Sequence, residues 1–195
     1  MKKSTSYTKV LPVLFGFFIM GFVDVVGIST SYVKKDFGLS DSFANLLPMM
    51  VFLWFAVFSV PTGILMNTLG RKKTVLLSMV ITFVAMLVPL VAYDFTVVLI
   101  AFALLGIGNT ILQVSLNPLL TNVVSGERLT SSLTLGQFTK AIASFVGPII
   151  AGLAAVTLGN WKLLFPIFAG ITLISSLWLF FTQIHEEPAK GKSSS

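Results

Sequence analysis

The chain is written in long apolar runs separated by short polar breaks. Six runs approach or exceed the ~20 residues needed to cross the hydrocarbon core of a bilayer. They cover about Val10–Tyr32, Phe43–Thr68, Thr74–Ala92, Thr96–Val124, Ser132–Val156 and Leu163–Ile184. Between them lie Lys34-Lys35-Asp36, Gly70–Lys73, Tyr93-Asp94, Gly126–Arg128 and Gly159–Lys162. The runs are continuous and do not alternate between apolar and polar positions, so they predict spanning helices rather than barrel strands. The expected class is all-α, a polytopic membrane protein with six spans. Lys2, Lys3 and Lys9 ahead of the first run resemble the start of a signal peptide. No small-residue cleavage site follows, and the run continues past Asp24 to Tyr32, so it reads as the first span.

Composition agrees with the pattern. Of 195 residues, 55% are hydrophobic and 10% charged, and the mean hydropathy is +0.96; a soluble domain carries far more charge. Without cysteine, neither a disulfide framework nor a thiol metal site can form. The single histidine, His185, lies in the polar tail, which leaves no histidine-based metal or catalytic cluster. No nucleophile–base set and no Walker-type glycine loop is present, so neither an enzyme nor a cofactor is expected, and transport energy would have to come from a gradient or a partner.

The formal charge of +6 reflects topology and not nucleic-acid binding. With the N-terminus in the cytoplasm, nine basic residues fall inside (Lys2, Lys3, Lys9, Arg71, Lys72, Lys73, Arg128, Lys190 and Lys192) and three outside (Lys34, Lys35 and Lys162). The positive-inside rule therefore puts both termini of the chain in the cytoplasm, and the expected location is the plasma (cytoplasmic) membrane.

An internal repeat emerges at an offset of 89 residues. Thr68-Leu69-Gly70 falls on Thr157-Leu158-Gly159, Lys73 on Lys162, Gly63 on Gly152, and Asp24 of the first span on Gln113 of the fourth. Three spans per copy make the copies opposite in orientation, an arrangement used by secondary transporters.

The segment Gly63-Ile64-Leu65-Met66-Asn67-Thr68-Leu69-Gly70-Arg71-Lys72-Lys73 resembles the loop Gly-x-x-x-Asp-Arg/Lys-x-Gly-Arg/Lys-Arg/Lys that joins the second and third helices of the major facilitator superfamily. Both glycines and the basic cluster match. The acidic position is Asn67 and the next basic position is Thr68. The resemblance implies one half of a major facilitator fold, built from two inverted three-helix repeats. On it, residues 185–195 would begin the central cytoplasmic linker, and a C-terminal half absent from this chain would complete the pathway.

A narrower resemblance, over nearly the whole chain, is to the fucose permease group of sugar–proton symporters. That group's fourth helix carries Glu-x-x-x-Asn-Pro, where this chain has Gln113-Val114-Ser115-Leu116-Asn117-Pro118. Its first helix carries an aspartate, matched about one turn earlier by Asp24; its fifth carries Leu-x-Gln and a polar residue, matched by Leu135-Gly136-Gln137 and Lys140. Gly147-Pro148-Ile149-Ile150-Ala151-Gly152 partly resembles instead the Gly-Pro-x-x-Gly-Gly motif of drug–proton antiporters.

Charges inside a membrane cost about 2.5–3.5 kcal/mol each on insertion scales, so their presence is a functional signal. Asp24 and Lys140 are the two that lie well inside the spans. A structural salt bridge between them is the alternative to a solute or proton site. Asn109, Gln113 and Asn117 recur every four residues as one helical stripe, and Gln137, Lys140 and Ser144 share a second. Such amides can be interhelical glue, or can bind a hydroxyl-rich ligand, since they both donate and accept. Among the aromatic residues of the second span, Trp54 is a candidate to stack on a sugar face.

The leading expectation is secondary active transport of a small polar solute, a fucose-, glucose- or galactose-like sugar, in symport with a proton or other cation. Asp24 would take the proton, and Asn109, Gln113, Asn117, Gln137, Lys140 and Trp54 would line the site. The alternatives are drug–proton efflux and transport of an anionic sugar or organic acid held by Lys140.

Overall fold

The computed structural model describes residues 7–186. Lys2, Lys3, Lys190, Lys192 and the remainder of the expected linker lie outside the described residues. Six helical segments are long and apolar enough to cross a membrane: Thr8–Phe37, Asp41–Leu69, Arg71–Val91, Phe95–Val123, Arg128–Leu158 and Trp161–Phe181. They are called spans 1 to 6 below.

Adding the offset of 89 to span 2 gives 130–158, against the observed Arg128–Leu158 of span 5, and adding it to span 3 gives 160–180, against Trp161–Phe181. Span 2 ends at Gly70, with φ +90°, and span 5 at Gly159, with φ +64°. Both values lie in the half of backbone space that glycine enters without a Cβ penalty, so the repeated Thr-Leu-Gly is a repeated helix stop.

The packing carries the same symmetry. Span 4 packs on spans 2 and 3, span 1 packs on spans 5 and 6, and spans 3 and 6 pack on each other. At two symmetry-related seams between the repeats a missing Cβ lets backbones touch. A Cβ on Gly106 of span 4 would lie 2.7 Å from the Val51 carbonyl oxygen of span 2, and one on Gly21 of span 1 would lie 2.5 Å from the Lys140 carbonyl oxygen of span 5. Lipid tails are as apolar as leucine, so such close backbone approach, more than hydrophobicity, joins these helices. Several buried hydroxyls are satisfied within their own helices: Thr110 bonds the Gly106 carbonyl, Ser115 that of Ile111, and Thr172 that of Phe168.

Span 1 is not one continuous α-helix. It runs α-helical over Tyr7–Met20, tightens to a 3₁₀ turn over Gly21–Val25, and resumes as α-helix over Val26–Phe37. A 3₁₀ stretch inside a helix shifts the phase of the side chains around it and often marks a functional hinge. Asp24 sits in this turn.

Burial separates the spans. In the most apolar window of each, 61% of residues are buried in span 1 and 56% in span 4, but 11% in span 2 and 22% in span 5. Spans 1 and 4 thus form the centre of the bundle, and spans 2 and 5 offer most of their surface outward.

Candidate functional site

The Asp24 side chain emerges at the seam of spans 1 and 5, open to the surface of the bundle. The close approach of Gly21 to the Lys140–Ser144 turn brings the two helices together there. The Ser144 hydroxyl lies 2.5 Å from Asp24 Oδ2 and 3.0 Å from the Lys140 carbonyl oxygen. Among the described residues no salt bridge joins Asp24 to Lys140; the ion pair formed is Lys34–Asp41, between the spans 1 and 2. Lys140 is half-buried, and among the described residues its ammonium has no hydrogen-bond or ion-pair partner. A carboxyl exposed on this seam cannot be left in hydrocarbon without a large cost, so the face that carries it borders water or protein.

The amide stripe of span 4 divides. Gln113 and Asn117 are half-buried, whereas Asn109 is turned into the bundle and only 4% exposed. Neither the Asn109 nor the Asn117 side-chain oxygen has a hydrogen-bond partner, and the Trp54 indole N–H is likewise buried without one. Trp54 meets Phe58 edge-on at 5.8 Å on span 2. Gln137 is exposed on span 5. Asp24 and Lys140 therefore share one seam, Gln137 lies one turn before Lys140 on the same helix, Gln113 and Asn117 lie on the central helix, and Asn109 belongs to the interior.

In the segment that carries Gly63, Asn67, Gly70, Arg71, Lys72 and Lys73, the side chains of Arg71 and Lys72 bind helix ends. Arg71 Nη1 donates to the Pro118 carbonyl and the Thr121 hydroxyl at 3.0 Å, and to Asn122 Oδ1 at 2.6 Å, all at the end of span 4. Lys72 Nζ donates to the Phe180 and Thr182 carbonyls at 2.8 Å, at the end of span 6. Cations on helix C-terminal carbonyls complement the helix dipole. The N-terminus of span 3 receives the opposite charge: Glu186 accepts from the backbone N–H of Arg71 and of Lys72. Asn67, at the acidic position of the loop motif, and Lys73 are exposed.

At the other end of the bundle, Asp36 Oδ2 accepts from the Tyr93 hydroxyl at 2.6 Å and from the Trp161 indole N–H at 2.9 Å. Tyr32 stacks on Trp161, and Lys162 lies over the Tyr93 ring at 4.0 Å. This knot ties the end of span 1 to the span 3–4 loop and the start of span 6. Burial, then the hydrogen bond to Asp36 and its charge, hold the Tyr93 phenol well above its ordinary titration range. Neither Glu186 nor the Asp36 knot was visible in the sequence, since each joins residues more than fifty positions apart without a local spacing; the one available hint was the aromatic-rich flank of the breaks at Tyr93 and Trp161.

Six helices long and apolar enough to cross a membrane, in two related triplets, with polar groups on the inner helices and a basic loop at the end of span 2, are the architecture of an integral membrane protein. The family model of the Major Facilitator Superfamily matches residues 13–195, and the chain belongs to that superfamily. It is similar to the glucose/galactose transporter of Brucella abortus biovar 1 (strain 9-941), 28% identical over 137 residues, covering 68% of this chain and 33% of the relative. It is also similar to the hexuronate transporter of Bacillus subtilis (strain 168), 23% identical over 185 residues, covering 91% of this chain and 43% of the relative. Monosaccharide-sensing protein 2 of Arabidopsis thaliana is 28% identical over 157 residues, with 78% and 21% covered. The chain thus spans less than half the length of these curated relatives.

Proposed function

We propose that this chain is the N-terminal half of a secondary active sugar transporter driven by protons. In it, Asp24 takes up and releases the proton, while Gln113, Asn117, Gln137, Lys140 and Trp54 line the solute path and Asn109 lies buried behind it. The observation that carries the reading is Asp24 itself: an acidic side chain in a 3₁₀ break of the first span, open at the surface, contacting a serine and not a counter-ion. A structural charge would be paired. An unpaired one, reachable from a pathway, can change its protonation as access alternates. The largely uncovered spans 2 and 5 support a second six-span half that closes the pathway opposite. Both termini of this half then lie in the cytoplasm, and the linker toward the second half begins near residue 185.

Lys140 favours one variant of this reading, transport of an anionic sugar. Its ammonium has no partner among the described residues, and a carboxylate-bearing solute would supply one; a hexuronate transporter is among the relatives.

The test is made on the complete transporter in proteoliposomes. Asp24→Asn is expected to abolish uphill accumulation of labelled sugar under an imposed proton gradient, while retaining solute exchange down a concentration gradient. Accumulation undiminished in Asp24→Asn would remove Asp24 as the proton site.

A further inference from the structure

We infer that Ser144 is a positioning residue for Asp24, through which the protonation state of that carboxyl is communicated from span 1 to span 5. The inference rests on the proposed role of Asp24 and extends it to a second helix. The Ser144 hydroxyl faces two acceptors at once, Asp24 Oδ2 at 2.5 Å and the Lys140 carbonyl oxygen at 3.0 Å. A hydroxyl has one proton to donate, so it serves one acceptor at a time.

With Asp24 ionised, the charge-assisted bond is the stronger of the two. Ser144 then donates to span 1, and the Lys140 carbonyl loses its side-chain donor. With Asp24 protonated, the carboxyl O–H donates to Ser144 Oγ, and the serine proton returns to the Lys140 carbonyl. One proton from the aqueous pathway is gained at Asp24 and the same proton is later released; no other bond is made or broken. Both states are fully hydrogen-bonded. They differ in whether span 5 carries a serine back-bond on the Lys140 carbonyl, and such back-bonds bend helices.

That carbonyl lies where the spans touch most closely, 2.5 Å from where a Cβ on Gly21 would sit. A change of helix geometry here is felt directly by the neighbouring backbone. The charged environment is simple. Span 5 contributes Lys140; span 4 carries no charge between Phe95 and Val123, span 6 none between Leu164 and Phe181, and span 1 no other between Val10 and Val33. Two inputs, Ser144 and Lys140, therefore set what Asp24 experiences from the elements packed against its turn.

The experiment is an infrared titration of the chain in lipid nanodiscs. The carboxylic-acid C=O band of Asp24 is assigned by its disappearance in Asp24→Asn and followed against pH. In Ser144→Ala the carboxyl loses its hydroxyl partner, and the titration midpoint is expected to shift from the wild-type value. Ser144→Thr and Ser144→Val are nearly isosteric and differ in the hydroxyl; Thr is expected to keep the wild-type midpoint and Val to reproduce the alanine shift, even if alanine itself inserts poorly. A midpoint unchanged in both Ala and Val, with the band still lost in Asp24→Asn, overturns the role of Ser144 and leaves that of Asp24 standing. No titrating band lost in Asp24→Asn overturns both. A packing role for Ser144 would lower thermal stability in the variants and leave the midpoint in place.

Discussion

Glu186 closes over Arg71: its carboxylate accepts from the Arg71 backbone N–H at 2.8 Å and from that of Lys72 at 2.5 Å, across 115 positions of sequence. The first amides of span 3 have no partner within their own helix, and the residue before them, Gly70, has no side chain to cap them. Glu186 does this from beyond span 6, while Arg71 and Lys72 satisfy the terminal carbonyls of spans 4 and 6. Three helix ends are thereby held by one exchange of charge.

Removing that cap is expected to cost what a helix cap is worth. Glu186→Ala lowers stability by about 1 kcal/mol, and Glu186→Gln by less, since an acceptor remains. Gly70→Ala is the more damaging change, because the φ of +90° strains an alanine and its Cβ would lie 2.5 Å from Glu186 Oε2. Thermal unfolding in detergent ranks the three. A Glu186→Ala melting point equal to wild type would show that water replaces the cap without loss.

Arg71 is expected to resist exchange for lysine. Nη1 of the weakly hydrated guanidinium lies within reach of three acceptors on span 4, and a strongly hydrated ammonium on a flexible stem gives up more water and freedom to sit there. Arg71→Lys should therefore destabilise nearly as much as Arg71→Gln. Cysteines placed at 71, 72 and 73 test the side of the membrane: a membrane-impermeant thiol reagent is expected to label them from the cytoplasm alone.

At the opposite end, Tyr93 donates to Asp36 with its titration held above the ordinary range by burial first and by Asp36 second. A folded-state value raised above the unfolded one, about 10, gives a stabilising contribution fully present below that pH. It is lost as pH rises through the folded value. Wild type is expected to lose stability relative to Tyr93→Phe as pH climbs above about 10, and to exceed it by about 1–2 kcal/mol at neutral pH, the worth of a hydrogen bond to a charged acceptor. A pH-independent difference between the two would show that the phenol is not coupled to Asp36.

Helix number and the repeat were legible because hydropathy reports the cost of transferring each segment into lipid, and a helix stop such as Thr-Leu-Gly leaves a local mark. The direction in which a side chain points left no such mark. Asn109 shares a stripe with Gln113 and Asn117 by spacing, yet the packing of span 4 against spans 2 and 3 turns Asn109 inward and leaves Gln113 and Asn117 at the edge. The 3₁₀ turn at Asp24 was equally hidden: it begins at Gly21, which lies against span 5, a contact that leaves no mark in the sequence. Chemistry-bearing residues could be named from sequence; which of them meet could not.

The salt-bridge reading of Asp24 and Lys140 makes the sharpest contrast with the unpaired arrangement observed. If the two charges existed to neutralise each other, each single change, Asp24→Asn or Lys140→Gln, would strand a charge and lower membrane insertion, and the double variant would recover coupled transport. With no ion pair between them, a different pattern is expected in the complete transporter. Lys140→Gln should insert normally and keep proton coupling with a neutral sugar. With an anionic sugar it should lose about 10- to 100-fold in apparent affinity, the worth of one charge-assisted hydrogen bond. The double variant should remain uncoupled, because restoring neutrality does not restore a group that titrates. Uptake of a neutral hexose and of its uronate, measured side by side for the three variants, separates these outcomes. Equal loss for both solutes in Lys140→Gln would assign the lysine to the fabric of span 5 rather than to the solute.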